Sequence, residues 1–161
     1  MIVLCLSIFI AVADQITKYL ARHFLCLGRP VPIVSGFFNL TYIQNTGAAW
    51  GRFQGFNDLL VVMSVIVLIL MIVFRRSFFA GQLTQKIALG LVVGGIIGNL
   101  IDRLKLDYVV DFLDFCWKSK HFPAFNIADS AICIGVGLYM LLQIKGNRSQ
   151  EKTVDGKQKD A

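Results

Sequence analysis

Four long apolar runs constrain the fold of this chain more than any other feature. They cover residues 2–20, 58–74, 86–104 and 127–144. A helix that rises about 1.5 Å per residue needs about 20 residues to cross roughly 30 Å of hydrocarbon. We therefore expect an all-α polytopic membrane protein with four transmembrane helices in one domain, residues 1–145. The second run is short, so it must use flanking residues or lie in thinner lipid.

The composition agrees with a membrane protein. Hydrophobic residues make up 56% of the 161 residues and charged residues only 16%, whereas soluble domains contain about 25% charged residues. So few polar groups could not cover the surface of a soluble enzyme, and so many apolar groups exclude a disordered chain. Residues 146–161 are mostly polar, and we expect them to form a disordered cytoplasmic tail.

The charge pattern predicts the orientation of the helices. The net charge is +6, but several of the positive residues lie in a loop and a tail and they do not form one basic face, so we expect no nucleic-acid partner. The loop of residues 75–86 has three positive charges and no negative charge. The positive-inside rule places this loop in the cytoplasm. Both termini are then cytoplasmic, and residues 21–58 and 105–126 face outside.

Two segments of the first outer stretch are rich in β-branched and aromatic residues. They are residues 31–34 and 37–43, and Gly and Asn turns bound them. Such segments are typical of short strands. We expect them to form a small extracytoplasmic β cradle on the membrane surface.

The four cysteines show no spacing typical of a zinc site. Cys5 and Cys133 lie in apolar runs, and we expect both to be small core residues. Cys26 and Cys116 could meet outside the membrane, and the sequence leaves their pairing open.

Polar residues from three spans and one connection reach the same depth, near the outer surface. Ionisable residues within spans are costly and are functional candidates. Under the predicted orientation, each of these residues lies at the outer end of its span or in the outer connection. They are Asp14, Lys18, Asn99, Asp102, Arg103, Asp111, Asn126 and Asp129.

Structural roles compete with functional ones for most of these residues. Asp14 and Lys18 are four residues apart and can pair on one helix face. Asp102 could support that pair or take part directly in chemistry. Asn126 and Asp129 are three residues apart, which is the spacing of a helix-capping pair.

Two further features have simpler interpretations. Gly90, Gly94 and Gly98 form a stripe with a period of four, which favours close helix packing. Asp114 is expected to be a surface charge.

Two aspartates held together give the best account of the chemistry. His23 and His121 have no accompanying nucleophile elbow, and carboxylates without histidine would be unusual for zinc. Two adjacent carboxyl groups share one proton, so one can activate water while the other protonates a scissile carbonyl. Spacing alone leaves Asp102 and Asp111 as equal candidates to pair with Asp129.

Five sequence blocks resemble bacterial lipoprotein signal peptidase, also called signal peptidase II. The blocks are residues 14–18 (DQITK), 45–51 (NTGAAWG), 94–103 (GGIIGNLIDR), 109–112 (VVDF) and 122–130 (FPAFNIADS). The resemblance extends over nearly the whole chain, and the blocks contain no departure from the family pattern.

This resemblance implies an aspartic endopeptidase with Asp111 and Asp129 as its catalytic dyad. It gives Asp102 a supporting role beside Arg103, and it places Asp14 and Lys18 beneath the site. The remaining positions implied to line or support the site are Asn45, Gly47, Asn99, Asn126 and Ala128.

The resemblance also implies a substrate and a location. The family cuts prolipoproteins before a cysteine that carries a diacylglyceryl group, in the bacterial cytoplasmic (inner) membrane near its outer face. The cyclic peptide globomycin is the expected inhibitor and membrane lipid a further partner. No metal or cofactor is expected, and the chain is expected to be a monomer.

Two other functions remain open at this point. Intramembrane Asp and Lys also mark ion pathways, although the inner halves of the last three spans are nearly all apolar. The glycine stripe would also suit a non-catalytic assembly subunit. Both alternatives predict that Asp111→Asn and Asp129→Asn leave the main activity intact.

Overall fold

Helices account for most of the chain. The structure is a computed structural model that describes residues 1–48, 52–74, 82–117 and 120–159. The first part of the predicted cytoplasmic loop, residues 75–81, lies outside the described residues. The helices are α1 (Ile2–Phe24), α2 (Asn57–Val73), α3 (Leu83–Leu106) and α4 (Ile127–Lys159).

Three of these helices are long and apolar enough to cross a membrane. They are α1, α3 and the part of α4 from Ile127 to Lys145. Helix α2 has 17 residues, which correspond to about 25 Å. The prediction of a polytopic membrane protein is therefore confirmed, while the fourth span stays a prediction.

The distribution of polar residues is the reverse of that in a soluble protein. Asp14 and Asn126 are fully buried, and Lys18 is 2% exposed. The outer faces of the helices carry exposed large apolar residues such as Ile8 and Phe9. Such a surface suits contact with lipid, because soluble monomers rarely expose large contiguous apolar patches.

The glycines of α3 allow its neighbours to approach closely, as predicted. A Cβ atom at Gly94 would lie 2.8 Å from the carbonyl oxygen of Ser7 in α1. A Cβ atom at Gly98 would lie 2.6 Å from Oδ2 of Asp14. Because neither position has room for a methyl group, glycine lets α3 pack directly against α1.

A four-stranded antiparallel sheet lies at one end of the helices. Its strands are β1 (Val31–Val34), β2 (Phe38–Asn45), β3 (Val109–Trp117) and β4 (Lys120–His121), in the order β1-β2-β3-β4. The first two strands agree with the predicted strand segments. Strand β3 is not among the predicted strands, and Asp111 lies in this strand rather than in an irregular connection.

The contact between α1 and β3 holds the sheet on the helices. Ala21 of α1 packs with Val110 and Phe112 of β3 in one apolar cluster. Because successive strand residues face opposite sides, burying Val110 and Phe112 against the helices turns Asp111 to the other face of β3.

The C-terminal segment differs from the expected disordered tail. Helix α4 continues beyond the apolar span to Lys159, so residues 146–159 have helical backbone. The physical reason is that extending an existing helix is easy compared with starting one, and this segment contains no proline.

Two expectations about side chains were wrong. Cys5 and Cys133 are exposed rather than core residues, because each lies on a helix surface that no other described element covers. Asp114 is buried, at 6% exposed, rather than a surface charge. Cys26 and Cys116, whose pairing was open, are both free thiols.

Candidate active site

Asp111 lies in the middle of the sheet and is held by two asparagines. Its Oδ2 accepts a hydrogen bond from Asn45 Nδ2 at 2.9 Å, and its Oδ1 accepts one from Asn126 Nδ2 at 2.8 Å. Asn45 belongs to β2, which pairs with β3 at this point. The carboxyl group is therefore fixed by a neighbouring strand on one side and by the start of α4 on the other.

Asp129 lies in the first turn of α4. Its Oδ1 accepts a hydrogen bond from Asn99 Nδ2 at 2.7 Å. Its Oδ2 accepts one from the backbone N–H of Asn126 at 3.3 Å, and its own N–H donates to Asn126 Oδ1 at 2.9 Å. This reciprocal pair is a capping box, so the predicted capping interaction exists and also aligns the carboxyl group.

Asn126 brings the two aspartates together. Its Nδ2 donates to the Asp111 carboxyl group and its backbone N–H donates to the Asp129 carboxyl group, while its Oδ1 accepts from the backbone N–H of Asp129. The two carboxyl groups therefore lie on either side of one asparagine, although they are 18 positions apart in the chain.

Lys18 lies beneath the aspartates and fixes their asparagine partner. Its ammonium group contacts Asp14 Oδ2 at 2.8 Å, Asn99 Oδ1 at 2.8 Å and Asp102 Oδ2 at 3.2 Å. Because an ammonium has only donors, Asn99 must present its oxygen to Lys18. The amide nitrogen of Asn99 is consequently directed at Asp129.

Asp14 and Asp102 connect this ion cluster to the backbone around the site. Asp14 Oδ1 accepts a hydrogen bond from the N–H of Ala128 at 2.9 Å. Asp102 Oδ2 accepts one from the N–H of Val110 at 3.0 Å, and Gln15 donates to Asp102 Oδ1 at 2.8 Å. Each aspartate thus anchors the residue immediately before one of the paired carboxylates.

Arg103 and Gly47 form the side of the site next to β2. Arg103 Nη2 donates to the carbonyl oxygen of Gly47 at 3.3 Å, and the N–H of Gly47 donates to Asn45 Oδ1 at 2.9 Å. A Cβ atom at Gly47 would lie 2.5 Å from the carbonyl oxygen of Arg52. Glycine is required here because the chain folds back against itself.

The pKa of the Asp111 carboxyl is raised from its usual value to about 7. Burial is the main cause, and the nearby charge of Asp129 raises the pKa further. The hydrogen bonds from Asn45 and Asn126 oppose this shift, as does the charge of Lys18. An acid with this pKa can hold and release a proton near neutral pH.

An open cavity of about 620 Å³ gives access to both aspartates. One side is polar and includes Asn45, Asn99 and Arg103, while the other is formed by residues 122–125 and by Ile132 of α4. The cavity is large enough for an extended peptide segment or a small ligand.

The structure brings the predicted site residues into this one network. Gln15 is not among the predicted site residues, because its position next to Asp14 gives no signal of its own. Residues 122–125 are also new as lining of the cavity, and their only signal in the sequence is the similarity of the block from 122 to 130 to the family pattern.

The fold and the site together define a class of protein. It is a polytopic membrane protein in which a small sheet and three helices enclose buried carboxyl groups at one end of the bundle. Comparison with known proteins then identifies the family. The signal peptidase (SPase) II family matches residues 6–145, so the chain belongs to that family.

Individual relatives agree with this assignment. A protein named lipoprotein signal peptidase from Syntrophotalea carbinolica is 40% identical over 145 residues, which cover 88% of this chain and 90% of that protein. One of the same name from Coxiella burnetii is 44% identical over 86% of this chain and 89% of that protein. A solved structure described as a bacterial membrane enzyme has a TM-score of 0.81 and 33% identity, and the match covers 90% of this chain and 88% of that one.

Proposed function

We propose that this chain is a membrane aspartic endopeptidase that removes the signal peptide from prolipoproteins. It cuts before the diacylglyceryl-modified cysteine and uses Asp111, Asp129 and a water molecule. One observation carries this proposal: Asn126 donates hydrogen bonds to the carboxyl groups of both Asp111 and Asp129, and both aspartates line an open cavity. Membership of the signal peptidase II family supports the choice of substrate.

In the resting site, the two carboxyl groups share one proton. The raised pKa of Asp111 favours this aspartate as the holder of the proton. The ionised Asp129 takes a proton from water, whose oxygen attacks the scissile carbonyl while Asp111 protonates the carbonyl oxygen. The carboxyl groups then exchange roles, and the departing amine leaves with a proton.

The asparagines and Arg103 support this reaction without being consumed in it. Asn99 and Asn126 hold Asp129 so that it faces the cavity. Arg103 interacts electrostatically with both carboxyl groups and can stabilise the negative charge that develops on the carbonyl oxygen before the proton from Asp111 arrives. These groups are already oriented by Lys18 and Gly47, so little reorganisation is needed in the transition state.

The membrane supplies part of the substrate's orientation. We propose that the diacylglyceryl chains stay in the outer leaflet and the apolar part of the signal peptide stays in the bilayer. The scissile bond is then presented at the depth of the aspartates. Two anchors of this kind remove much of the orientational entropy of the reaction.

The proposed orientation in the membrane is the one that the charge pattern predicts. We propose that α2, with flanking residues, forms the fourth span and that both termini are cytoplasmic. The site lies near the outer face of the bacterial cytoplasmic (inner) membrane. The enzyme acts as a monomer without a metal or cofactor, and globomycin inhibits it by occupying the cavity next to the dyad.

A cleavage assay with matched substrates tests this function. The purified protein is mixed in detergent–lipid micelles with a precursor that carries diacylglyceryl-cysteine, or with the same precursor before lipid attachment. We expect cleavage of the lipid-modified precursor only, and inhibition of that cleavage by globomycin. Equal cleavage of both precursors, or of neither, would contradict the proposal.

Asp107→Asn provides a matched control for the aspartate substitutions. Asp107 is exposed and has a left-handed backbone conformation, which asparagine also accepts. Asp111→Asn and Asp129→Asn should abolish cleavage while Asp107→Asn retains it. A transporter or an assembly subunit would keep its main activity in both dyad variants.

A further inference from the structure

A second polar cluster lies on the sheet, away from the carboxyl groups of the candidate active site. Its centre is Asp114 of β3, whose Oδ2 accepts a hydrogen bond from Asn39 Nδ2 at 2.8 Å. His121 Nδ1 lies 2.9 Å from Oδ1 and 3.1 Å from Oδ2 of the same carboxyl group. A carboxylate is costly to bury unless it has such partners, so this arrangement needs an explanation.

His121 stands at the start of the segment that forms one wall of the cavity. It belongs to β4, and residues 122–125 follow it directly and line the cavity. Asn126 comes next and binds both aspartates. The contact between His121 and Asp114 therefore attaches the outer end of this wall to β3.

The other end of the wall is attached independently. The N–H of Phe125 donates to the carbonyl oxygen of Leu113 at 3.1 Å, and the N–H of Leu113 donates to the carbonyl oxygen of Phe125 at 2.9 Å. The ring of Phe125 stacks on Phe115 with a centroid distance of 5.8 Å. These contacts keep Asn126 in place even when the outer end of the wall is released.

At the outer end, one backbone hydrogen bond joins the N–H of Phe122 to the carbonyl oxygen of Phe115 at 2.8 Å. Strand β4 has only two residues, and so short a pairing is marginal on its own. Phe122 packs edge-on against Phe125 with a centroid distance of 5.9 Å. The side-chain contact of His121 with a buried carboxyl group adds a second directional contact at this end.

We infer that Asp114 and His121 are positioning residues that hold residues 122–125 against the apolar part of the substrate in the cavity. The inference rests on the proposed function. The hydrogen bonds of the dyad come from Asn45, Asn99 and Asn126, so releasing the wall should weaken substrate binding and leave the chemical step unchanged.

Substitutions of His121 test this role. We expect His121→Ala to raise KM for the lipid-modified precursor roughly three- to tenfold, the effect of losing one hydrogen bond, with kcat within about twofold. His121→Asn places an amide nitrogen close to the position of Nδ1 and should restore KM. His121→Gln places its amide nitrogen closer to the position of Nε2 and should not.

His23→Ala serves as the control, because His23 is the chain's other histidine and stacks on Tyr19 in α1. A wild-type protein that does not cleave the precursor would contradict the proposed function. An active wild type with unchanged KM in His121→Ala, or with kcat lowered instead, would overturn this inference alone. The same KM in His121→Asn and His121→Gln would also overturn it. The asparagine–glutamine comparison decides the matter even if the alanine variant is too unstable to assay.

Discussion

Each asparagine of the site has its amide orientation fixed by a neighbour. Asn99 faces an ammonium group through its oxygen, and Asn45 and Asn126 each accept a backbone N–H through theirs. Their amide nitrogens are therefore all directed at carboxyl groups. Donors arranged in this way hold two carboxyl groups near one another without pairing either of them with a cation of its own among the described residues.

The raised pKa of Asp111 predicts how cleavage depends on pH. The proposed mechanism needs one proton on the pair of aspartates. Because the pKa of Asp111 in the free protein is about 7, raising the pH through 7 removes that proton, and kcat/KM should fall on the alkaline side. Lowering the pH back to 6.5 should restore the rate. A rate that is constant from about pH 6 to 9 would contradict a proton on Asp111.

Replacing Lys18 should lower both the stability of the protein and its rate of turnover. Lys18→Ala leaves Asp14 and Asp102 buried without their shared cation, which costs about 3–5 kcal/mol. Thermal unfolding in detergent should show a large decrease in Tm, with a similar but smaller decrease for Asp14→Ala. Lys105→Ala is the control, since Lys105 is exposed. Unchanged Tm together with reduced turnover would show that Lys18 is not structural.

At the scale of elements, the close contact of α3 with α1 determines where the ion cluster can form. Gly98→Ala would place a methyl group against the Asp14 carboxylate, and we expect a loss of about 1–3 kcal/mol from overpacking. Gly137→Ala in α4 is a matched control, because a Cβ atom there meets nothing within 4 Å. Tm should fall in the first variant and stay equal or rise in the second. Equal effects in both variants would contradict the packing role.

The sequence predicted the elements with strong local signals. The apolar runs, the first two strands and the Asp14–Lys18 pair follow from hydropathy, β propensity and a spacing of four residues. Spacing did not show whether Asp102 or Asp111 pairs with Asp129, because the answer depends on the turn that follows α3. Asp107 ends α3 in a left-handed conformation, and the chain then returns so that Val110 binds Asp102. The carboxyl group of Asp102 thereby binds Val110 and Lys18 beneath the site, and Asp111 lines the cavity.

The third strand could have been recognised but was not. Residues 109–115 contain two valines and two phenylalanines, which are typical of a strand. The segment also contains two aspartates, which are uncommon in strands and weaken the signal. The burial of Asp114 was beyond local reasoning, because it depends on Asn39 and His121 from other strands.

At the scale of the whole molecule, the orientation in the membrane decides which face receives the substrate. A reporter enzyme that is active only outside the cytoplasm can be fused after Gly55 or after Lys145. We expect activity from the first fusion and none from the second, because the positive loop and both termini should be cytoplasmic. The reverse pattern would place the site at the wrong face for a lipid-anchored precursor.

The most direct test of the two-aspartate account is a double-substitution cycle on cleavage. The catalytic rates of Asp111→Asn, Asp129→Asn and the double variant are measured on the same lipid-modified precursor, with folding checked by thermal unfolding. If both carboxyl groups act on one water as a unit, each single substitution should remove nearly all activity and the double should be no slower. Substantial activity in either single variant, or losses that multiply in the double variant, would contradict the account.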